Sequence, residues 1–322
     1  MIEGIFRFLA LAASVAVLTA APALVFAQEF GDKLMDLELP AITNFAPPQS
    51  ETPLAQGNGG AVTLAAQLTE GGAEITRGLV WRVFKPEPGQ DGKLPLVASS
   101  RGGTGIFQLD PGSYLVHAAF GRAGATKRIT VGREAKREDF VLDAGGLQLD
   151  AVLAGGVRIP PEKLRFSIYD AEADADGDRA LILPDVSPNT VIRLNSGIYH
   201  VVSTYGSVNA VIRSDIRVEA GKLTEATVEH HAAELTMKLV REPGGEAIAD
   251  TSWSVLTESG DPVRESVGAY ASMVLAEGNY SIVAKNRDRI YQRDFTVVGG
   301  RNQEVEVVTT EVAAVGTVDD VD

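Results

Sequence analysis

The stretch "LDPGSYLVHAAFG" (109–121) has two near-copies along the chain, "LNSGIYHVVSTYG" (194–206) and "LAEGNYSIVAKNR" (275–287). Successive tyrosines of the three copies lie 85 and 81 residues apart, and each follows a glycine by two positions and a leucine by five. Self-similarity at a fixed period predicts tandem copies of one structural unit. The aligned residues are Leu109, Gly112, Tyr114, Leu194, Gly197, Tyr199, Leu275, Gly278 and Tyr280.

The residues around each tyrosine follow a two-residue period, which is typical of a β-strand. The side of the strand that carries the tyrosine also carries small and apolar residues, so it is predicted to face a core. Three upstream stretches match as well, "GLVWRVF" (78–84), "KLRFSIY" (163–169) and "DTSWSVL" (250–256), and their aromatic residues are predicted core positions. Short strands separated by Gly, Pro and Asp turns indicate a β-sandwich. The three aromatic residues are Trp81, Phe166 and Trp253.

The pattern Leu-x-x-Gly-x-Tyr is interpreted as a corner between two strands. The leucine is predicted to fill the core, and the glycine to allow a sharp turn that favours positive φ. The tyrosine is predicted to bury its ring and to return its hydroxyl group to a nearby backbone group, as in the tyrosine corner of other sandwiches. The phrase recurs because each unit needs the corner, so these tyrosines are predicted to be structural rather than catalytic.

The phrase L-x-P-G-x-Y, followed by a Val-Gly turn and a closing strand, resembles the repeated modules of transthyretin-like sandwiches. These include carboxypeptidase regulatory-like domains and collagen-adhesin B-type modules, and the three-module arrangement is similar to that of exported proteins of alphaproteobacteria. The resemblance implies seven-stranded modules that bind or space other molecules, and it implies no activity. Some adhesin modules carry a Lys–Asn isopeptide bond, but Lys238, the nearest candidate with Asn302, alternates with apolar residues and is expected to face water.

The fold class expected is therefore all-β, with three tandem Ig/transthyretin-like β-sandwich modules behind a signal peptide and a flexible leader. Almost no residues are left over for linkers between the modules, which predicts a stiff rod. The expected segments are a signal peptide (1–27), a leader (28–60), modules at 62–143, 144–232 and 233–310, and a disordered acidic tail (311–322).

The first 27 residues have the features of a secretory signal. Arg7 supplies a positive charge, "FLALAASVAVL" (8–18) is an apolar region, and "VFA" (25–27) offers small residues for cleavage after Ala27. We expect a periplasmic or extracellular protein, with membrane contact only through this segment if it stays uncleaved. The leader that follows is rich in Pro, Gly and polar residues from residue 46 onward, a composition that does not pack a core.

Composition excludes several classes of chemistry. The chain has no cysteine, which removes thiol nucleophiles, thiolate metal sites and disulfides. Its formal net charge is −14, and an acidic surface repels phosphate backbones, so nucleic acid is not an expected partner. No cofactor is expected, and the metal that the sequence suggests is calcium.

The calcium candidate is the acidic stretch "DAEADADGD" (170–178). Carboxylates at alternate positions can wrap a hard cation with oxygen ligands. The position that needs a bidentate glutamate in an EF-hand is Leu183, so the alternative is a solvated hairpin tip whose charge discourages aggregation. The candidate ligands are Glu172, Asp174, Asp176 and Asp178.

Catalytic residues are not expected. The chain has no G-x-S-x-G nucleophile elbow, and its four histidines do not converge in the sequence pattern. All four are predicted to lie at the surface, two of them side by side at the end of the second module. They are His117, His200, His230 and His231.

These observations predict a non-catalytic, exported binding or scaffold protein of the cell envelope, acting through protein–protein contacts at module faces or strand edges. The alternative is recognition of polysaccharide by exposed tyrosines, and a hydrolase is a third possibility. An envelope protein or a polysaccharide is thus the expected partner. The tyrosines considered for sugar binding are Tyr169, Tyr205, Tyr270 and Tyr291.

Overall fold

The computed structural model describes residues 59–310, which form 22 β-strands and one 3-10 turn at Pro161–Lys163. The strands make six sheets, two for each sequence repeat, so the all-β prediction is confirmed. Within these residues no helix is long and apolar enough to cross a membrane. The predicted signal peptide (1–27), leader residues 28–58 and the predicted tail (311–322) lie outside the described residues.

Module 1 contains the first seven strands. A three-stranded sheet, in the order β4-β1-β7, faces a four-stranded sheet, in the order β3-β2-β5-β6. The strands are β1 (Ala61–Gln67), β2 (Leu79–Phe84), β3 (Leu96–Gly102), β4 (Gly105–Gln108), β5 (Gly112–Phe120), β6 (Ala123–Val131) and β7 (Lys136–Val141).

Module 2 repeats this arrangement with one additional two-residue strand, β9. Its sheets have the orders β12-β8-β15 and β11-β10-β13-β14. The strands are β8 (Ala144–Leu153), β9 (Val157–Arg158), β10 (Leu164–Ala173), β11 (Arg179–Val186), β12 (Val191–Asn195), β13 (Gly197–Tyr205), β14 (Val211–Val218) and β15 (Leu223–His230).

Module 3 has seven strands in sheets of the orders β19-β16-β22 and β18-β17-β20-β21. In all three modules the first strand pairs parallel to the last strand and antiparallel to a middle strand. The strands are β16 (Ala232–Val240), β17 (Thr251–Thr257), β18 (Pro262–Val267), β19 (Tyr270–Ala276), β20 (Gly278–Asn286), β21 (Arg289–Val297) and β22 (Gln303–Val308).

Each module has its own apolar core between the two sheets. The aromatic residues Trp81, Phe166 and Trp253 occupy equivalent core positions and are at most 1% exposed. The indole nitrogen of Trp81 donates to the Gly103 carbonyl group and that of Trp253 to the Gly268 carbonyl group, each at 2.8 Å. A buried indole N–H needs such a partner, whereas the phenyl ring of module 2 needs none.

The three corner tyrosines make the same hydrogen bond. Each hydroxyl group donates to the backbone carbonyl group four residues earlier, over 3.0 Å for Tyr114 and 2.9 Å for Tyr199 and Tyr280. Each ring also lies across the corner glycine, close enough that an added Cβ would be 3.7–3.9 Å from it. Gly197 and Gly278 have φ near 155° but Gly112 does not have a positive φ, so ring packing is the feature that all three share.

The junction between modules 1 and 2 is a direct contact without a linker. The side-chain amide of Asn195 donates to the carbonyl groups of Leu142, at 2.6 Å, and Gly124, at 3.2 Å. Its oxygen accepts the Gly124 N–H at 3.2 Å. The buried guanidinium group of Arg193 lies 4.3 Å from the centre of the Phe120 ring, a cation–π contact.

The junction between modules 2 and 3 also uses a side-chain amide of module 2, from a different residue. Asn209 of module 2 donates to the Tyr280 hydroxyl group and accepts the Ala276 N–H, both at 2.9 Å. Val274 of module 3 is 5% exposed because it packs into the core of module 2. An ion pair of 2.6 Å between Lys163 and Glu234 borders this contact.

A glycine directly after the strand of the corner tyrosine, β5 in module 1 and β13 in module 2, permits each junction. A Cβ at Gly121 would lie 2.9 Å from Cβ of Arg193, and one at Gly206 would lie 2.7 Å from Cβ of Val274. Both glycines also have positive φ, a conformation that side chains disfavour. Arg287 takes this position in module 3, also with a positive φ, of 56°.

The hydroxyl group of Tyr280 makes two hydrogen bonds, whereas that of Tyr114 makes one. Because each buried hydrogen bond contributes about 1 kcal/mol, Tyr280→Phe is expected to lower the free energy of unfolding of module 3 by about 2 kcal/mol. Tyr114→Phe is the matched control, with about 1 kcal/mol lost from module 1. Each of these modules holds one tryptophan, so denaturant unfolding followed by fluorescence measures both, and equal losses would contradict the double role of Tyr280.

Candidate functional site

The exposed face of the four-stranded sheet of module 2 carries the candidate site. A cross-strand row runs from Leu181 on β11 through Tyr169 on β10 and His200 on β13 to Asp215 on β14. Ile198, two residues before His200 on the same strand, faces the same side. We call these five residues the module 2 face.

The side chains of the module 2 face are held in place by one another. Nδ1 of His200 lies 2.7 Å from a carboxylate oxygen of Asp215. The ring of Tyr169 meets the imidazole edge-on, with centroids 6.4 Å apart and planes at 63°. Leu181 and Ile198 stay 52% and 43% exposed beside this cluster.

This arrangement combines features of a protein-binding surface. Aromatic residues are enriched where proteins meet, and apolar groups rimmed by polar ones mark interaction sites. Strand β11 is also an edge of its sheet, with Leu181 on it, and an edge strand can receive a partner's strand. A hydrolytic triad also contains a His–Asp pair, but in the described part of the chain no serine hydroxyl group bonds to His200.

Two of the four tyrosines considered for sugar binding are not available. Tyr205 is 1% exposed and Tyr291 is 5% exposed, so the prediction that they present a sugar-binding surface is wrong. Tyr205 lies on the core side of β13, with the same parity as Val201 and the corner tyrosine. Tyr270 is 56% exposed in module 3, and Tyr169 is half-buried in the module 2 face.

The prediction that all four histidines lie at the surface is wrong for His230. This residue is 1% exposed at the end of β15, on the same side as Val228. Its Nε2 lies 2.8 Å from Oγ of Ser203, and the ring of Tyr205 meets the imidazole edge-on at 6.0 Å. Burial lowers the pKa of His230 to about 4, because the charged form cannot be solvated there.

The other histidines have surface partners. Nδ1 of His117 lies 2.9 Å from the hydroxyl group of Thr126. His231 is exposed between Glu229 and Glu277, at 3.4 and 3.5 Å. The alternation of β15 carried the signal for burying His230 rather than His231, because Val228 and His230 have the same parity.

The four carboxylates proposed for calcium are not brought together. One oxygen of Asp174 accepts the backbone N–H groups of Asp176, at 3.0 Å, and Asp178, at 2.8 Å, and thereby closes the hairpin turn. Within residues 59–310 no group of three or more His, Asp or Glu side chains lies close enough to hold a metal ion. The Asp174 carboxylate thus stabilises the hairpin turn, and calcium binding by Glu172, Asp174, Asp176 and Asp178 stays a prediction.

Lys238 was expected to face water, but it is largely covered by neighbouring residues. Its ammonium group lies 2.7 Å from Glu304 and 3.0 Å from Glu306, and its side chain is 13% exposed. Asn302 is engaged elsewhere, since its side-chain oxygen accepts the backbone N–H of Glu234 at 2.9 Å. The two residues considered for an isopeptide bond thus have separate partners.

Two open grooves of about 500 Å³ lie in the outer modules. The groove of module 3 contains the carboxylates of Glu258 and Asp294, and that of module 1 lies beside the corner at Asp110. The buried pair of Ser203 and His230 lines neither groove.

Comparison with protein families gives one match. The model of the Rhizobiales growth-associated tandem repeat domain matches residues 234–309, which is module 3 from its first strand to its last. This segment is similar to that family. No curated protein matches the chain.

Several solved structures are similar to this chain at a low level. The Bacillus anthracis TIE protein is 18% identical over 77% of this chain and 50% of its own, with a TM-score of 0.24. A streptococcal ancillary pilin is 13% identical over 77% of this chain and 98% of its own, with a TM-score of 0.28. A putative cell adhesion protein from Bacteroides ovatus is 8% identical over 51% of this chain and 91% of its own, with a TM-score of 0.28. The chain thus spans half the length of the first, and TM-scores this low carry no conclusion about its function.

Proposed function

We propose that this chain is a non-catalytic, exported scaffold of the cell envelope that binds a partner protein through the module 2 face. The observation that carries the proposal is that face, where Leu181 and Ile198 remain exposed beside an ordered Tyr169–His200–Asp215 row. The order of the row lowers the entropy cost of binding, because its side chains are already fixed.

The junctions support a scaffold role. Asn195 and Asn209 tie neighbouring modules by hydrogen bonds, and Val274 inserts into the core of module 2. Such contacts hold the modules in a fixed relation, as the near-absence of linkers in the sequence suggested. A rigid rod can present a binding face at a set distance from its ends.

Export is proposed from the segment at 1–27, and three apolar cores stabilise the chain without disulfides. Sugar binding through tyrosines is the weaker candidate. Of the four tyrosines considered, only Tyr169 and Tyr270 reach the surface, and they lie in different modules.

Photocrosslinking in living cells of the source organism tests the partner proposal. A photoreactive residue at position 181 is expected to capture one dominant envelope protein. The matched control is position 157 on β9 of the same module, because Val157 is 53% exposed and Leu181 is 52% exposed. Equal adduct patterns from both positions, or none from position 181, would overturn the proposal.

A substitution on the module 2 face makes the test specific. With the photoreactive residue at 181, Ile198→Asp is expected to reduce the adduct about tenfold, because it places a charge where an apolar contact forms. Ile198 is exposed, so the variant is expected to keep the unfolding temperature of the parent protein. Undiminished adduct from the folded variant would argue against the module 2 face as the contact.

A further inference from the structure

The four-stranded sheet of module 1 differs in charge from the rest of the molecule. Strands β2, β3, β5 and β6 contain no aspartate or glutamate, although the chain has a net charge of −14. The same sheets of modules 2 and 3 do contain carboxylates, namely Asp170, Glu172, Asp185 and Asp215 in module 2 and Glu265 and Asp294 in module 3.

Three arginines cross the exposed face of this sheet in an oblique line, which we call the arginine track. Arg101 on β3 is in register with Val80, two residues before Arg82 on β2. Arg128 on β6 is in register, through Leu115 on β5, with Phe84, two residues after Arg82. The three residues therefore advance by two positions along the strands from Arg101 to Arg82 and again from Arg82 to Arg128.

Sheet geometry sets the spacing of the arginine track. With strands about 4.8 Å apart and a rise of about 3.4 Å per residue, Cα of Arg101 and Cα of Arg82 are about 8 Å apart. Cα of Arg82 and Cα of Arg128 are about 12 Å apart on the same basis. In the described part of the chain none of the three guanidinium groups has an ion pair. Arg101 and Arg128 are exposed and Arg82 is half-buried, so an external anion can reach the track.

Polar groups border the arginine track. His117 stands between Arg82 and Thr126 in one cross-strand row, with Ser99 at the other end of that row. Burial, and then the charge of Arg82, lower the pKa of His117, which agrees with the closeness of the two side chains. Hydroxyl groups of Ser99 and Thr126 beside guanidinium groups offer donors and acceptors to a hydroxylated ligand.

We propose that the arginine track binds a linear anionic polysaccharide whose carboxylates recur along the chain. Guanidinium groups recognise carboxylates by bidentate hydrogen bonds, and spaced charges suit a polymer better than a single small anion. The track runs obliquely to all four strands, whereas a peptide added to the sheet would run parallel to an edge strand. This site lies on a different module from the module 2 face and goes beyond the partner proposed for that face.

Direct binding tests this proposal with residues 28–322 and polygalacturonate as the probe, and with dextran as the neutral control. Polygalacturonate is expected to bind, and its binding is expected to weaken as the salt concentration is raised to about 0.3 M. Dextran is not expected to bind. The double variant Arg82→Gln/Arg128→Gln is expected to weaken binding about fivefold. The double variant Arg213→Gln/Arg217→Gln of module 2 is the charge-matched control, and is expected to change binding less than about twofold because Asp215 lies between these two arginines.

Three results would overturn the proposal. The first is the absence of binding to polygalacturonate, and the second is equal weakening by both double variants, which would reflect net charge alone. The third is binding that appears only after residues 28–58 are removed, which would indicate that the acidic leader, and not a polysaccharide, occupies the arginine track. Ile198→Asp is expected to leave polygalacturonate binding unchanged, so failure here is distinct from failure of the partner proposal.

Discussion

Gly206→Ala is expected to weaken the junction between modules 2 and 3 by about 3 kcal/mol. Part of this loss, about 1 kcal/mol, is the strain of a side chain at φ +73°. The rest comes from the new Cβ, which would lie 2.7 Å from Cβ of Val274 and must push it out of the core of module 2. Scanning calorimetry is expected to show modules 2 and 3 unfolding at lower temperatures than in the parent protein, because Gly206 and the core that Val274 enters belong to module 2.

Gly177→Ala is the matched control for backbone strain. Gly177 also has positive φ, at 87°, but no atom lies within 4 Å of an added Cβ. This variant is expected to lose only about 1 kcal/mol, and only from module 2. A melting profile of Gly206→Ala that matches the profile of Gly177→Ala would show that the close packing at the junction contributes nothing.

Acidification is expected to destabilise module 2 through His230. The pKa of this residue is about 4 in the folded protein and 6.5 in the unfolded chain. The contribution of neutral His230 to the unfolding free energy is therefore fully present above pH 6.5. It is lost as the pH falls from 6.5 towards 4, because the unfolded chain takes up the proton first. The difference between the two pKa values corresponds to about 3 kcal/mol of unfolding free energy.

The neighbouring histidine provides the control for the acid effect. His230→Gln removes the titrating group, so the unfolding free energy of module 2 is expected to vary less between pH 6.5 and 4 than in the parent protein. His231→Gln, at the exposed neighbour, is expected to keep the parental pH dependence. Urea unfolding followed by hydrogen exchange of peptides from β13 and β15 reports on module 2 alone, and parallel curves for all three proteins would refute the role of His230.

The repeat could be predicted because its determinants are local. A two-residue period placed Trp81, Phe166 and Trp253 on the core side of their strands, where the structure has them. Spacing from the glycine and the leucine suggested the corner of Tyr114 and its two counterparts. Local alternation also carried the information on His230, but its position beside exposed His231 made both look like surface residues.

The junctions could not be predicted because they depend on contacts between modules. Met273, Val274 and Leu275 are consecutive and all buried, although alternation assigns Val274 to the outside of its own module. Module 2 covers the outward-facing side chain of Val274, and the sequence of a single strand does not indicate this contact. The arginine track likewise emerges only when the register of four strands aligns residues that are distant in the sequence.

The distance between modules 1 and 3 tests most directly the claim that the junctions make the chain a rigid scaffold. Because the chain has no cysteine, Thr130→Cys and Glu265→Cys place one spin label on an exposed position in each of these modules. Pulsed electron spin resonance is expected to give one narrow distance distribution, which Gly206→Ala broadens. A broad distribution in the otherwise native chain would contradict the rigid scaffold.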